Sequence, residues 1–396
     1  MTDSTATVRR PDVDADWQDL IGEFEVRSDT HYLNHGSFGI APRMVRERRR
    51  EWINRLDEQP MNFYLRELEP RMAECLQRLG QFLNTDSENL IFVENATSGM
   101  NIVANSIRLQ AGDEVLSNNH EYGAVHRIWQ RACDQQGAKL VIGRLPDSFE
   151  SHDQIVDAIF ANATDKTRLI IVSHITSATA LIMPVKAICQ RAKQMGIPVC
   201  IDGPHAPAHV PLDLTDIGCA FFTASCHKWL CATLGSGFLF VHPEFQGQVQ
   251  VPMKSWGRLM PAVPEKWFEE FIWSGTRDPS SYFSIVAAIE FMESVGLQAF
   301  RDRTRYMQRQ TTAQLVDLLG NQTIGNDVDL WYGTMSHVKL PDGDWSELAR
   351  QLWDEAKIEI PIFHFEEKWF VRASHHLYNT RDQYDLLLDC LKRKIS

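Results

Sequence analysis

Between about residues 90 and 245 the sequence alternates short apolar, β-branched runs with longer amphipathic stretches, and that alternation is the signature of an α/β fold. Candidate strands fall at 90–94, 114–117, 139–143, 168–173, 197–202, 220–223 and 237–241. Several are apolar throughout, such as Leu169-Ile170-Ile171-Val172, which is the pattern of strands covered on both faces. Between them, 97–108, 122–135, 151–161 and 185–195 carry helical periodicity. The expectation is one large, mostly parallel seven-stranded sheet.

Helical stretches at 43–58 and 62–83 precede this region, with Pro42 placed to start the first. After residue 280 the pattern changes: helical segments near 282–297, 299–319, 345–356 and 381–393 alternate with strand-like runs at 334–340 and 369–373. We therefore expect residues 41–280 to form a large domain and 281–396 a smaller C-terminal α/β domain, joined by an N-terminal segment, 1–40. A chain of 396 residues suits that division, at a rough prior of ~150 residues per domain.

Composition narrows the partners. Forty basic against 52 acidic residues leave a formal charge of −12, which disfavours nucleic acid as a ligand. The densest basic run, Arg46, Arg48, Arg49 and Arg50, shares helical spacing with Trp52, Ile53 and Leu56, and reads as a solvated helix face. No apolar run reaches the ~18–20 residues that span a bilayer, and residues 1–19 are polar and acidic. A cytoplasmic protein without a membrane partner is expected. Eight cysteines occur in no paired CxxC spacing, which suits reduced thiols and argues against a structural metal. His120-Glu121 with His126 superficially matches a metalloprotease helix, but the second histidine falls at the wrong offset.

In open α/β sheets, ligands bind beyond the carboxyl ends of the strands. The first strand runs into Asn95-Ala96-Thr97-Ser98-Gly99 and then a helix, a setting suited to phosphate. A later strand ends in Asp202-Gly203-Pro204-His205, and the next leads into Ser225-Cys226-His227-Lys228. Singly, these read as a helix cap, a strand-end cap and a surface lysine. Neither GxGxxG nor GxxxxGK[ST] is present, so nicotinamide and P-loop chemistry lack their fingerprints. Phosphate, carboxylate and lysine together are what pyridoxal 5′-phosphate (PLP) uses: the lysine condenses with its aldehyde, the carboxylate pairs with its protonated pyridine nitrogen, and the phosphate anchors it.

Six segments, in order, then resemble one family: Asn95 to Gly99, His120-Glu121-Tyr122, Asp202-Gly203-Pro204-His205, Ser225-Cys226-His227-Lys228-Trp229, Gly275-Thr276-Arg277-Asp278 and Arg372-Ala373-Ser374. The chain is similar to the class V aminotransferase family of PLP enzymes. Tyr32-Leu33-Asn34-His35-Gly36-Ser37-Phe38-Gly39 and His120 to Ala124 look most like its isopenicillin N epimerase-like branch. The resemblance implies the PLP-dependent transferase fold of type I. It implies Lys228 as Schiff-base lysine and proton shuttle, Asp202 as the pyridine-nitrogen partner, Tyr122 as the stacking ring and His205 as a contact to the phenolic oxygen. Phosphate would be held by Ala96, Thr97, Ser98, Ser225 and His227, and by Thr276 contributed in trans within a homodimer. Arg372 would clamp the carboxylate of an amino-acid-type substrate, with Asn34 and His35 in the same pocket.

Two departures bear on chemistry. Ser177 stands where many relatives carry an asparagine facing the cofactor, and Ala180 replaces a common glycine. Desulfurases of the family need a nucleophilic cysteine shortly before the carboxylate-binding arginine, and no cysteine lies between Cys231 and Cys390. What remains is chemistry at the α-carbon: epimerisation, with C–S cleavage or transamination as the alternatives. A non-catalytic binding protein on the same fold is disfavoured by Lys228, Asp202 and Arg372 being intact.

Overall fold

The computed structural model describes residues 9–256, 264–325 and 327–395. Residues 1–8 of the polar N-terminal stretch lie outside them. Seven strands, β1 (Leu90–Val93), β2 (Glu114–Asn118), β3 (Lys139–Gly143), β4 (Thr167–Ser173), β5 (Val199–Asp202), β6 (Phe221–Ser225) and β7 (Gly237–Val241), form one sheet in the order β1-β7-β6-β5-β4-β2-β3. Only β7 runs antiparallel to its neighbours. The mostly parallel sheet expected from the alternation is thus present.

Successive strand residues feed opposite faces, and both faces are covered. Leu169 and Ile171 join Met100, Val103, Trp129 and Cys133 from the helices Ala96–Ser106 and Gly123–Gln136. Ile170 and Val172 join Leu79, Ile155, Ile188 and Ile285 on the other face. That two-sided burial explains why these strands carry no polar alternation. The apolar helix Ser280–Val295, buried on most sides, belongs to the second of these clusters and lies against Arg43–Glu58 and Leu68–Leu83.

A third cluster gathers Leu33 with Val338, Leu352, Val371 and Leu387. Here Lys368–Ser374 pairs antiparallel with both Met335–Lys339 and Ile362–Phe365. The strand Ile362–Phe365 was not expected from the sequence. Its hairpin turns on Glu366 and Glu367, both at positive φ (49° and 59°), a two-residue turn without the Asn-Gly signal that ordinarily announces one. His31–Tyr32 pairs in parallel with Ile358–Glu359, bringing the segment before residue 40 to the side of the C-terminal elements. The expected helix 62–83 is interrupted: Phe63–Glu67 is a π turn and Leu68–Leu83 continues as an α-helix, next to Pro70, which has no N–H to give the preceding turn. Among the described residues, no single helix is long and apolar enough to cross a membrane.

Candidate active site

A cavity of about 570 Å³ opens at the carboxyl ends of β1, β4, β5 and β6, within the size range of small-molecule sites. Strand ends and the loops that follow them supply its wall: Asn95, Ala96 and Thr97 after β1, Ser177 after β4, Asp202 and His205 from β5, and Ser225, His227 and Lys228 from β6. Tyr122, at the start of Gly123–Gln136, and Arg372, from the C-terminal sheet, complete it. Asn95 to Lys228, spread over some 130 positions, converge because each parallel strand delivers its last side chains to the same edge, and Arg372 is brought in from the separate C-terminal sheet.

Lys228 Nζ lies 3.1 Å from His205 Nε2. Loss of hydration, with the nearby Arg372 charge, pushes the lysine down to about 7, while Asp202 opposes the shift. Asp202 is buried and pushed up to about 7, first by loss of hydration and second by the like charge of Glu121. Among the described residues, no donor hydrogen-bonds its carboxylate. A buried acid in that state suits a cationic N–H arriving with a ligand.

Around Thr97 the wall is set for an anion. Asn95 Oδ1 caps the helix by accepting from Ser98 N–H at 2.9 Å, and Ser225 Oγ accepts from Ala96 N–H at 3.0 Å. The Ala96 and Ser98 amides are therefore already committed. What remains for a phosphate is the Ser225 hydroxyl hydrogen, Thr97, and His227, whose Nδ1 is buried with no partner.

Arg372 is buried yet keeps its charge at neutral pH, since loss of hydration lowers it only to about 10. Its fork donates to the Ser177 carbonyl and, at 3.2 Å, to Ser37 Oγ. Nε has no partner, and the guanidinium lies over the Phe363 ring at 4.7 Å. Ser177 meets the site through its backbone as well as by lining the wall.

Three expected site residues stand elsewhere. Ser98 turns to Asn95 and does not line the cavity. Asn34 and His35, expected in the substrate pocket, are corrected to a supporting place: Asn34 reaches Glu359, while His35 bonds Tyr378 and the Lys228 carbonyl from behind. Their neighbours Gly36, Ser37 and Phe38 line the cavity instead. Thr276 is exposed and outside the cavity of its own chain. The His120/His126 pair dissolves, with His120 bonded to Thr179 and His126 to the Asn118 carbonyl. Ala180 adopts φ +59°, a conformation that glycine holds without strain. Sequence reasoning missed Phe38 and Phe363; only Phe38 had a signal, inside the quoted Tyr32 to Gly39 run.

The orphaned Asp202 carboxylate, the His227 nitrogen and the desolvated Lys228 form the donor set that PLP requires, so the residues fit that group. Comparison with known proteins agrees. The "Aminotransferase class-V" family model matches residues 62–387. Isopenicillin N epimerase of Streptomyces clavuligerus is 32% identical over 95% of this chain and 98% of its own. A putative L-cysteine desulfhydrase 1 of Oryza sativa subsp. japonica is 27% identical over 92% of this chain and 83% of its own. Among solved structures, a C-DES mutant with glycine covalently linked to its PLP cofactor superposes with a TM-score of 0.82 at 18% identity, covering 94% of this chain and 98% of that one. With the family model and the epimerase both matching most of its length, this chain belongs to the class V aminotransferase family and is a PLP-dependent enzyme.

Proposed function

We propose that the enzyme works at the α-carbon of an amino acid or amino-acid-derived substrate, most like an isopenicillin N epimerase, with Lys228 moving the proton. The observation that carries this reading is the placement of one desolvated amine, Lys228 Nζ, in a cavity walled by a buried acid, Asp202, and a buried guanidinium, Arg372. When bound, PLP supplies an electrophilic aldehyde and an electron-accepting ring. Asp202 would hold the proton on the ring nitrogen. Thr97, Ser225 and His227 would hold the phosphate, and Tyr122 would pack against the ring. Arg372 would bind the substrate carboxylate and so aim Cα at Lys228 Nζ, which takes the α-proton from one face. Inversion requires a proton returned to the opposite face, for which Tyr122, His205 or a swing of Lys228 are the candidates on the cavity wall.

None of the eight cysteines lines the cavity, and all are buried. This supports proton chemistry over a persulfide route and suits a reducing, cytoplasmic setting. C–S lyase activity is the second reading, favoured by the likeness to a putative L-cysteine desulfhydrase. A homodimer is part of the proposal: Thr276 follows Gly275 at φ +108° and is exposed, which supports a phosphate contact across subunits.

The test is incubation with candidate amino acids in D₂O, following α-proton exchange, inversion of configuration, and sulfide or pyruvate release. Inversion with exchange is the expected result. Sulfide and pyruvate without inversion would hand the assignment to the lyase. A chain that takes up no PLP, so that borohydride leaves no cofactor mass on Lys228, would end both readings.

A further inference from the structure

Trp229 has a single polar group, the indole Nε1–H, and that group can only donate. It donates to His205 Nδ1 at 3.1 Å, with both side chains buried. The Nδ1 lone pair is therefore in use, so the ring hydrogen of His205 sits on Nε2. Nε2 is the atom 3.1 Å from Lys228 Nζ. An ammonium has no lone pair with which to accept from it.

We propose that Trp229 is a positioning residue for the reacting lysine: its N–H locks His205 as the Nε2–H tautomer, which presents a donor to Lys228 Nζ and thereby selects the uncharged amine. The inference rests on the reading of Lys228 as the reacting group. The indole is held for this task from two sides, by His35 at 5.0 Å with a 39° tilt and by His209 edge-on at 5.0 Å. The titratable and charged groups that face the pair are Arg372, Asp202, His209, His35 and His227. Among the described residues, Trp229 is the only hydrogen-bond partner of His205 Nδ1. The lowered pKa of Lys228 agrees in direction.

The test is competitive acylation of the full-length chain, freed of cofactor, across a pH series, with the Lys228 peptide read by mass spectrometry. Two replacements are compared with the unaltered chain: Trp229→Phe, and Trp229→3-benzothienylalanine, in which sulfur takes the place of the N–H in a ring of nearly the same shape. Without the donor, His205 can carry its hydrogen on Nδ1 and accept at Nε2 from a lysine ammonium. The Lys228 labelling curve is then expected to move up by about one pH unit in both variants, roughly tenfold less reactive amine at a fixed pH below the midpoint. A benzothienyl variant with an unchanged unfolding midpoint and a labelling curve that overlays the unaltered chain, or moves down, overturns the inference. Since the labelling needs no cofactor, failure of the unaltered chain to fix PLP on Lys228 would sink the functional reading and leave this result standing.

Discussion

Ser173 and Asp202 are Cα partners on neighbouring parallel strands, and Ser173 gives both its N–H and its O–H to Glu121, each at 2.6 Å. Asn118 Nδ2 donates to the same carboxylate at 2.9 Å. Two buried acids are thereby held at one corner of the site, one fully hydrogen-bonded and one facing the cavity. Glu121 is pushed up to about 7 by loss of hydration, against the pull of its Ser173 and Asn118 donors. Its charge then makes Asp202 the more basic, as a partner for a protonated ring nitrogen should be.

Asp202→Ala leaves that ring cation buried and unpaired, at ~3–5 kcal/mol. If the cost falls on the transition state, turnover drops by ~10²–10³. Steady-state kinetics of the PLP-loaded variant check this; retention of most of the activity would refute the role.

Replacing the forked guanidinium by a point charge, Arg372→Lys, is expected to raise KM for a carboxylate-bearing substrate about 10–100-fold. The basis is the loss of one charge-assisted hydrogen bond, ~1.5–3 kcal/mol. Unfolding midpoints measured alongside separate this from a structural effect. An unchanged KM would remove Arg372 from the binding site.

Gly39 sits against the backbone that carries the lysine. A Cβ there would lie 2.3 Å from the His227 carbonyl oxygen and 2.8 Å from that of Lys228. Gly39→Ala is therefore expected to cost about 1–3 kcal/mol of stability and to lower the fraction of chain that borohydride fixes to the cofactor. A variant equal to the parent in denaturant midpoint and in fixed cofactor would show that this contact is not needed.

Acid should weaken the cofactor-free fold. Burial pushes His35, His209, His337 and His375 down to about 3, below the ordinary histidine value of about 6.5. Their contribution is whole above pH 6.5 and is lost as pH falls toward 3, because the unfolded chain then binds more protons. Glu121 and Asp202, raised to about 7, work the other way, costing stability as pH rises from about 4 to 7. Four histidines outweigh two acids, so the denaturant midpoint is expected to drop between pH 6.5 and 4. A midpoint that climbs on acidification would contradict the balance.

The seven-stranded sheet was readable because its signal is local: apolar strand runs and helical periodicity repeat within windows of a dozen residues. Lys228, Asp202, Ser225, His227 and Thr97 were readable for a related reason, since a parallel sheet sends the residue after each strand to a shared edge. The hairpin at Glu366 and Glu367 was not, because its residues lack the chemistry of a tight turn and only its pairing with Lys368–Ser374 holds them there.

Residue types along the chain dictated the α/β layering and the kind of group the site must take, because hydrophobic pattern and side-chain chemistry are properties of short segments. The packed fold alone decided which nitrogen of His205 carries hydrogen, that His35 stands behind the lysine and Asn34 turns to Glu359 while Gly36 to Phe38 meet the cavity, and that Glu121 lies buried beside Asp202. Those outcomes depend on hydrogen bonds and desolvation between segments up to some 340 positions apart, such as His35 with Tyr378, and no local pattern encodes such distances.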